Sequence, residues 1–171
     1  NMSRIRKVAV LGSGVMGSGI AAHMANCGVP SLVFDLERSM VTDNLKKALK
    51  AKPAPFGHAR LASMVDACDY EHDVARLGEV DWIIEVVTER LDIKKKVFDT
   101  VEKHARKDVI ISSNTSGIAL STMVEGRPEW FRRNFLVTHF FNPVRYMRLL
   151  ELVGGADTDP AVYQAVADFG E

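Results

Sequence analysis

The sequence reads Gly12-Ser13-Gly14-Val15-Met16-Gly17 directly after an apolar run, Lys7-Val8-Ala9-Val10-Leu11, and this junction decides the fold. The apolar run has the length and branching of a buried strand, and a helical pattern that ends at Gly28 follows the glycines. A strand, a G-x-G-x-x-G turn and a helix in this order are typical of a dinucleotide-binding fold. A glycine-rich turn that binds nothing is the alternative.

Each glycine of this turn has a separate task in such folds. The first allows the tight bend, the second lets the backbone approach a pyrophosphate, and the third lets the helix pack on the strand. Free backbone N–H groups at the start of the helix then face the anion. We therefore expect the cofactor phosphates to lie against Gly12, Gly14, Val15, Met16 and Gly17.

An acidic residue, Asp35, ends the second strand-like run and lies eighteen residues after Gly17. In this fold a carboxylate about 20 residues beyond the glycines accepts hydrogen bonds from the ribose of NAD. The same charge would repel the 2′-phosphate of NADP, and Arg38 would offset that repulsion only in part. The prediction is NAD as cofactor, and a helix-capping acid is the alternative for Asp35.

Strand-length apolar runs and helical patterns alternate along the rest of the chain. The apolar runs predict strands over 32–35, 82–87, 109–112, 135–140 and 149–153. The periodic segments predict helices over 20–25, 44–52, 91–104 and 160–169. Apolar strands separated by helices indicate a parallel sheet covered on both faces. We predict one α/β domain over 1–171, a Rossmann-type, doubly wound and mostly parallel sheet with helices on both faces.

The composition excludes several classes of protein. Lysine plus arginine and aspartate plus glutamate number 22 each, so no basic surplus points to nucleic acid. No apolar run approaches the ~20 residues that span a bilayer. Two cysteines are too few for a disulfide scaffold and favour a reducing compartment. We expect a cytoplasmic protein without a membrane or nucleic-acid partner, and no histidine spacing is typical of a metal site.

A candidate acid–base residue, His139, lies at the C-terminal end of the strand predicted over 135–140. Ligands of open parallel sheets bind at that edge, and histidine suits removal of a proton from an alcohol. Glu151 interrupts an otherwise apolar run twelve residues later, and a lone carboxylate there is costly unless it is paired. In an antiparallel hairpin centred on Arg145 the two residues would face each other. A structural histidine is the alternative.

Three ordered motifs together resemble the NAD-binding domain of 3-hydroxyacyl-CoA dehydrogenases. They are the glycine-rich stretch over 12–21, the tetrapeptide Ser113-Asn114-Thr115-Ser116, and His139-Phe140-Phe141-Asn142-Pro143 followed by Leu149-Leu150-Glu151. Trp82-Ile83-Ile84-Glu85 and Tyr146-Met147-Arg148 resemble the long bacterial form, in which an enoyl-CoA hydratase-like region accompanies the dehydrogenase. The resemblance covers nearly the whole chain.

The resemblance implies a role for each matching residue. His139 would be the catalytic base, and Glu151 would be its orienting partner. Ser116 and Asn142 would contact the substrate and the nicotinamide. Glu89 and Lys94 match cofactor-binding positions, for which a helix-start acid and a solvated lysine are the alternatives.

The resemblance also implies what lies around the domain. The helix after the second strand would approach the CoA phosphates through Lys46 and Lys50, unless these form a solvated face. A helical domain beyond Glu171 would complete the substrate cleft and mediate dimerisation. The implied partners are an acyl-CoA substrate and a second copy or a multienzyme assembly. We expect residues 1–171 alone to bind the nucleotide but to turn over poorly.

The function implied is NAD-dependent oxidation of (3S)-3-hydroxyacyl-CoA to 3-oxoacyl-CoA in fatty-acid β-oxidation. A β-hydroxyacid dehydrogenase that acts on a free acid is a second possibility, although such enzymes usually carry a lysine as the acid–base group. A third is a non-catalytic NAD-binding relative, such as a lens crystallin. The presence of both His139 and Glu151 argues against the third.

Overall fold

Seven strands form one sheet in the computed structural model, which describes residues 4–50, 63–140 and 149–170. The strands are β1 Val8–Leu11, β2 Ser31–Asp35, β3 Val65–Asp69, β4 Trp82–Glu85, β5 Ile110–Ser113, β6 Phe135–Phe140 and β7 Leu149–Gly154. Their order across the sheet is β3-β2-β1-β4-β5-β6-β7, and every neighbouring pair is parallel except β6 and β7. The predicted doubly wound, mostly parallel sheet is confirmed.

Helices cover both faces of this sheet. They are α1 Val15–Asn26, α2 Arg38–Lys50, α3 Tyr70–Asp73, a 3₁₀ helix Val74–Glu79, α4 Leu91–His104, α5 Leu120–Met123, α6 Glu129–Arg133 and α7 Pro160–Phe169. Val8 and Val10 pack with α1, α2 and α7, whereas Ala9 and Leu11 pack with the 3₁₀ helix, α4, α5 and α6. Successive side chains of a strand thus enter opposite core layers, which explains why the strand is apolar throughout.

Most predicted elements are confirmed, and the differences have physical reasons. The bounds of α4 and β6 are as predicted. Helix α1 begins at Val15 and not at residue 20, because the glycine turn itself leads into the helix. Helix α2 begins at Arg38, six residues before the predicted start at residue 44. Val41 is the buried residue of this helix, so its sequence shows only a weak apolar periodicity. Strand β4 ends at Glu85 and not at residue 87, because the N–H of Val87 donates to the Glu85 carboxylate at 2.7 Å and not to a neighbouring strand.

Short or polar elements were not predicted. Strand β3 is absent from the predicted strands, because it is an edge strand whose two aspartates interrupt the apolar run. Helices α3, α5 and α6 and the 3₁₀ helix have four to six residues each, too few for a helical period to show. Among the described helices, none is long and apolar enough to cross a membrane.

The sheet topology brings the candidate residues to one edge. The chain runs from β1 outward through β2 and β3, and then returns to the other side of β1 to add β4, β5 and β6. Such a switch point is where ligands bind in open α/β sheets, outside the carboxyl ends of the strands. Leu11 pairs with Phe34 and Glu85 at this edge, and Glu85 pairs with Ser113. The loops after these strands therefore line a common surface.

Candidate cofactor and catalytic site

The glycine turn between β1 and α1 has the geometry of a phosphate cradle. Gly12 has a φ of +118°, and a Cβ there would lie 3.0 Å from the carbonyl oxygen of Val86. A Cβ on Gly17 would lie only 1.8 Å from the carbonyl oxygen of Gly12, so α1 can approach β1 only with glycine at this position. A Cβ on Gly14 would meet nothing within 4 Å. Gly14 therefore leaves open the space that the predicted pyrophosphate would need.

The start of α1 offers backbone donors to an anion. Gly14 is the N-cap residue, and it has no side chain with which to cap the N–H groups of the first turn. The first helical hydrogen bond runs from the N–H of Ser18 to the carbonyl of Gly14 at 2.9 Å. Val15 is exposed at this end of the helix, while Met16 packs partly into the core. These features fit a nucleotide phosphate bound at a helix N-terminus.

The Asp35 carboxylate lies beside the glycine turn. Its Oδ2 accepts hydrogen bonds from the backbone N–H of Ser13 at 3.0 Å and from the Ser13 hydroxyl at 2.5 Å. Its Oδ1 accepts the N–H of Leu36 at 2.9 Å. Arg38 is bound to Asp73, 2.9 Å from Oδ2, so its charge is already paired. The acid therefore stands next to the turn, as the cofactor prediction requires.

Lys94 is not the solvated lysine that was the alternative from sequence. Its side chain is fully buried, and its Nζ lies 2.7 Å from Glu85 Oε2 and 3.2 Å from Glu89 Oε1. The other oxygen of Glu85 accepts the Ser113 hydroxyl at 2.5 Å. Two carboxylates thus compensate the buried ammonium. A direct contact between Lys94 and a cofactor stays a prediction, and Glu89 is the exposed end of this cluster.

Glu89 joins the loop after β4 to the loop after β5. Its Oε2 accepts the hydroxyl of Thr115 at 2.7 Å and the backbone N–H groups of Ser116 and Gly117 at 3.4 and 3.3 Å. Burial by itself would raise the pKa of Glu89, but the hydrogen bonds from Thr115 and Lys94 outweigh it, so the pKa is lowered. The carboxylate therefore stays ionised at neutral pH and holds the Ser116 loop in place.

His139 and Glu151 face each other across β6 and β7, which confirms the predicted register. The antiparallel pairing is irregular directly after His139. The ring Nε2 of His139 lies 2.7 Å from the carbonyl oxygen of Thr115. A neutral ring that donates from Nε2 carries its lone pair on Nδ1. Within the described residues no hydrogen bond joins His139 to Glu151, so the orienting role of Glu151 stays a prediction.

A cleft of about 470 Å³ brings three of the predicted catalytic residues together. Ser116 is exposed on one side of it, and His139 and Glu151 lie on the other. The apolar side chains Ile118, Leu120, Val137 and Val153 line the remaining wall. The cleft can therefore hold a molecule with a polar group beside His139 and an apolar part beyond it.

Other predicted site residues lie elsewhere. Lys46 and Lys50 are exposed on α2, so their contact with CoA stays a prediction. Asn142 lies in 141–148, outside the described residues. In the described part of the chain, no three histidine, cysteine, aspartate or glutamate side chains are grouped closely enough to hold a metal ion.

Sequence reasoning missed several residues of the site. Glu85 is placed by its sequence in a strand and in the segment that resembles the long bacterial form, with no role in the site, although a charge in an otherwise apolar run indicates a buried partner. Thr115 was noted only within a motif, yet its hydroxyl and carbonyl bind Glu89 and His139. Ser13 and Asn44 gave no signal, because their contacts join distant parts of the chain.

A nucleotide cradle and a histidine at one edge of a doubly wound sheet define the class of nicotinamide-dependent dehydrogenase domains. The profile of the family described as "3-hydroxyacyl-CoA dehydrogenase, NAD binding domain" matches residues 7–171. The chain belongs to this family, and NAD is its cofactor.

Individual relatives agree with this assignment. The chain is 46% identical to a probable 3-hydroxyacyl-CoA dehydrogenase of Bacillus subtilis (strain 168), over 98% of this chain and 24% of the relative. It is 42% identical to a probable 3-hydroxyacyl-CoA dehydrogenase of Deinococcus radiodurans, over 98% of this chain and 51% of the relative. The chain thus spans about a quarter of the first relative and about half of the second.

A solved structure shows the same fold. The structure of 3-hydroxybutyryl-CoA dehydrogenase from Escherichia coli K12 superposes with a TM-score of 0.85 and 26% identity. The match covers 97% of this chain and 36% of that chain. The arrangement of the sheet and helices described above is therefore that of a known dehydrogenase domain.

Proposed function

We propose that this chain is the NAD-binding part of an enzyme that oxidises (3S)-3-hydroxyacyl-CoA to 3-oxoacyl-CoA in fatty-acid β-oxidation. The observation that carries the proposal is the pairing of His139 with Glu151 in register, in the same cleft as Ser116. A nucleotide cradle at the same sheet edge would hold the hydride acceptor near this cleft. A proton acceptor and a hydride acceptor are the two groups that oxidation of an alcohol requires.

In the proposed reaction, NAD held by the glycine turn would supply the acceptor for the hydride that leaves C3 of the substrate. His139 takes the proton of the 3-hydroxyl group on the lone pair of its ring. The Thr115 carbonyl fixes the ring through Nε2, at 2.7 Å. The Glu151 carboxylate, on the facing strand, would stabilise the imidazolium that forms through its charge, because the Thr115 carbonyl already occupies the second ring nitrogen. In the reverse direction the imidazolium returns the proton.

The remaining residues would position the substrate and the cofactor. Ser116, exposed in the cleft, would donate its hydroxyl to a substrate oxygen, and Asn142 would approach the nicotinamide. Asp35 would accept hydrogen bonds from the adenosine ribose. Lys46 and Lys50, on the exposed side of α2, would meet the phosphates of CoA.

The full-length protein would contain more than this domain. Since the chain spans 24% and 51% of two relatives, most or half of each relative lies outside the matched part. We propose that a helical domain beyond residue 171 closes the substrate cleft and mediates dimerisation. A relative from Rickettsia felis, 36% identical and named as a putative fatty acid oxidation complex trifunctional enzyme, supports association with further catalytic domains in one multienzyme chain.

The full-length protein, assayed with NADH and acetoacetyl-CoA, tests the proposal. We expect rapid oxidation of NADH with acetoacetyl-CoA and little with free acetoacetate, because the free acid lacks the CoA part that Lys46 and Lys50 would bind. Equal rates with both compounds would favour a free-acid dehydrogenase. Binding of NADH without oxidation by either compound would favour a non-catalytic relative.

A further inference from the structure

A chain of hydrogen bonds runs from α2 through the glycine turn to Asp35. The Ser13 hydroxyl lies 2.5 Å from Asp35 Oδ2, and the Asn44 side-chain amide lies 2.8 Å from the same hydroxyl. Ser13 is fully buried, whereas Asp35 and Asn44 are half-buried. Asn44 is therefore linked through Ser13 to the Asp35 carboxylate, the group that the proposed function places at the nucleotide.

The chemistry of these groups fixes the direction of each hydrogen bond. A carboxylate only accepts, so the Ser13 hydroxyl must donate its single hydrogen to Asp35. The oxygen of Ser13 must then accept from Asn44, and only the amide nitrogen of Asn44 can donate. Asn44 thus directs the Ser13 hydrogen towards Asp35, and it prevents this hydroxyl from turning elsewhere.

The arrangement restrains one oxygen of Asp35 more than the other. Oδ2 accepts from both the backbone N–H and the hydroxyl of Ser13, whereas Oδ1 accepts from the N–H of Leu36. Rotation of the carboxylate would break a hydrogen bond to a charged group, which is stronger than one between neutral groups. The orientation of Asp35 is therefore set before any ligand binds.

We propose that Ser13 and Asn44 are positioning residues that set the preference for NADH over NADPH by holding the Asp35 carboxylate towards the adenosine ribose. The inference rests on the proposed contact between Asp35 and that ribose. A carboxylate in fixed orientation accepts from the ribose hydroxyls without first being ordered. The same carboxylate cannot turn away from a 2′-phosphate, so the repulsion of NADPH is retained in full.

Titration of the 171-residue chain with NADH and with NADPH, by calorimetry, tests this proposal. Ser13→Ala and Asn44→Ala each remove one link, and we expect each to weaken NADH binding about three- to tenfold. We expect NADPH binding to change less, so the dissociation constant of NADPH divided by that of NADH falls. Thr42→Ala is the matched control, because it removes an exposed hydroxyl of α2 that bonds only within that helix, to the carbonyl of Arg38.

Thermal unfolding of the same variants separates positioning from a purely structural role. The proposal would be overturned if Ser13→Ala and Asn44→Ala both lower the unfolding temperature but leave the ratio of the NADPH and NADH dissociation constants unchanged. Asp35→Ala distinguishes the two levels of the inference. If Asp35→Ala lowers the ratio and the Ser13 and Asn44 variants do not, the positioning role is wrong while the Asp35 contact stands. If Asp35→Ala leaves the ratio unchanged, the ribose contact itself is wrong.

Discussion

The cofactor half of the sheet edge, formed by β1, α1, β2 and α2, differs from the catalytic half, formed by β5, β6 and β7. In the cofactor half, Asp35 is held by three hydrogen bonds, and the glycine turn is closed against β1 and Val86. In the catalytic half, Ser116 and Glu151 are exposed along an open cleft of about 470 Å³. One half is preorganised by its own contacts, and the other presents groups to solvent.

This difference indicates how the two tasks are divided. A preorganised nucleotide site binds its ligand at a lower entropic cost, because its groups are already ordered in the free protein. Proton and hydride transfer need reacting groups held a few ångströms apart in a closed site. We therefore expect binding to reside in this chain and efficient turnover to require the rest of the full-length protein.

The largest expected effect is the difference in turnover between the 171-residue chain and the full-length protein. Positioning of the reacting groups supplies about 7–11 kcal/mol of a barrier, so the chain alone should react with acetoacetyl-CoA and NADH near the background rate. A steady-state assay of both proteins at equal concentration measures this. Turnover by the chain alone within tenfold of the full-length rate would break the comparison between the two halves.

Replacement of His139 tests the catalytic half directly. In the full-length protein, His139→Gln should lower kcat by about 10²–10⁴, the usual contribution of general acid–base catalysis. NADH affinity should hardly change, because the cradle lies on the other half of the sheet edge. Steady-state kinetics and a NADH titration check both statements. A variant with wild-type kcat would show that another residue accepts the proton.

Replacement of Lys94 tests the buried cluster that joins the loops after β4 and β5. Lys94→Met leaves Glu85 buried without its charge partner, so the free energy of unfolding should fall by about 3–5 kcal/mol. Lys96→Met on the exposed side of α4 is the control and should change it by less than about 0.5 kcal/mol. Urea unfolding of the two variants gives the comparison. Equal free energies of unfolding for Lys94→Met and Lys96→Met would mean that the ion pair between Lys94 and Glu85 contributes little to stability.

Replacement of Glu151 should have the smallest of these effects on the reaction. Glu151→Gln in the full-length protein should lower kcat about tenfold, since an exposed charge is screened more than the buried acid of a Ser-His-Asp triad. Steady-state kinetics with acetoacetyl-CoA measure the change. If the Glu151→Gln variant has the wild-type kcat at every pH at which the enzyme is active, Glu151 has a structural role and does not stabilise the imidazolium of His139.

Long periodic segments and short spacings could be predicted from the sequence. The amphipathic pattern of α4 predicts its bounds. His139 and Glu151 lie equally far from Arg145 in the sequence, which predicts that they face each other in an antiparallel hairpin. Strand β3 could not be predicted, because two aspartates on an edge strand hide the apolar signal. The contact of Ser13 with Asn44 spans 31 residues and depends on how α2 packs, which local patterns do not encode.

The central claim is that the cofactor site is complete within these 171 residues and selects NAD through Asp35. Calorimetric titration of the chain with NADH and NADPH tests it most directly. We expect NADH to bind clearly more tightly than NADPH. We also expect Asp35→Ala to weaken NADH binding more than NADPH binding, because the substitution removes hydrogen bonds to the ribose of NADH and, for NADPH, also removes the repulsion of its 2′-phosphate. Equal affinities for NADH and NADPH, or the absence of NADH binding, would contradict it.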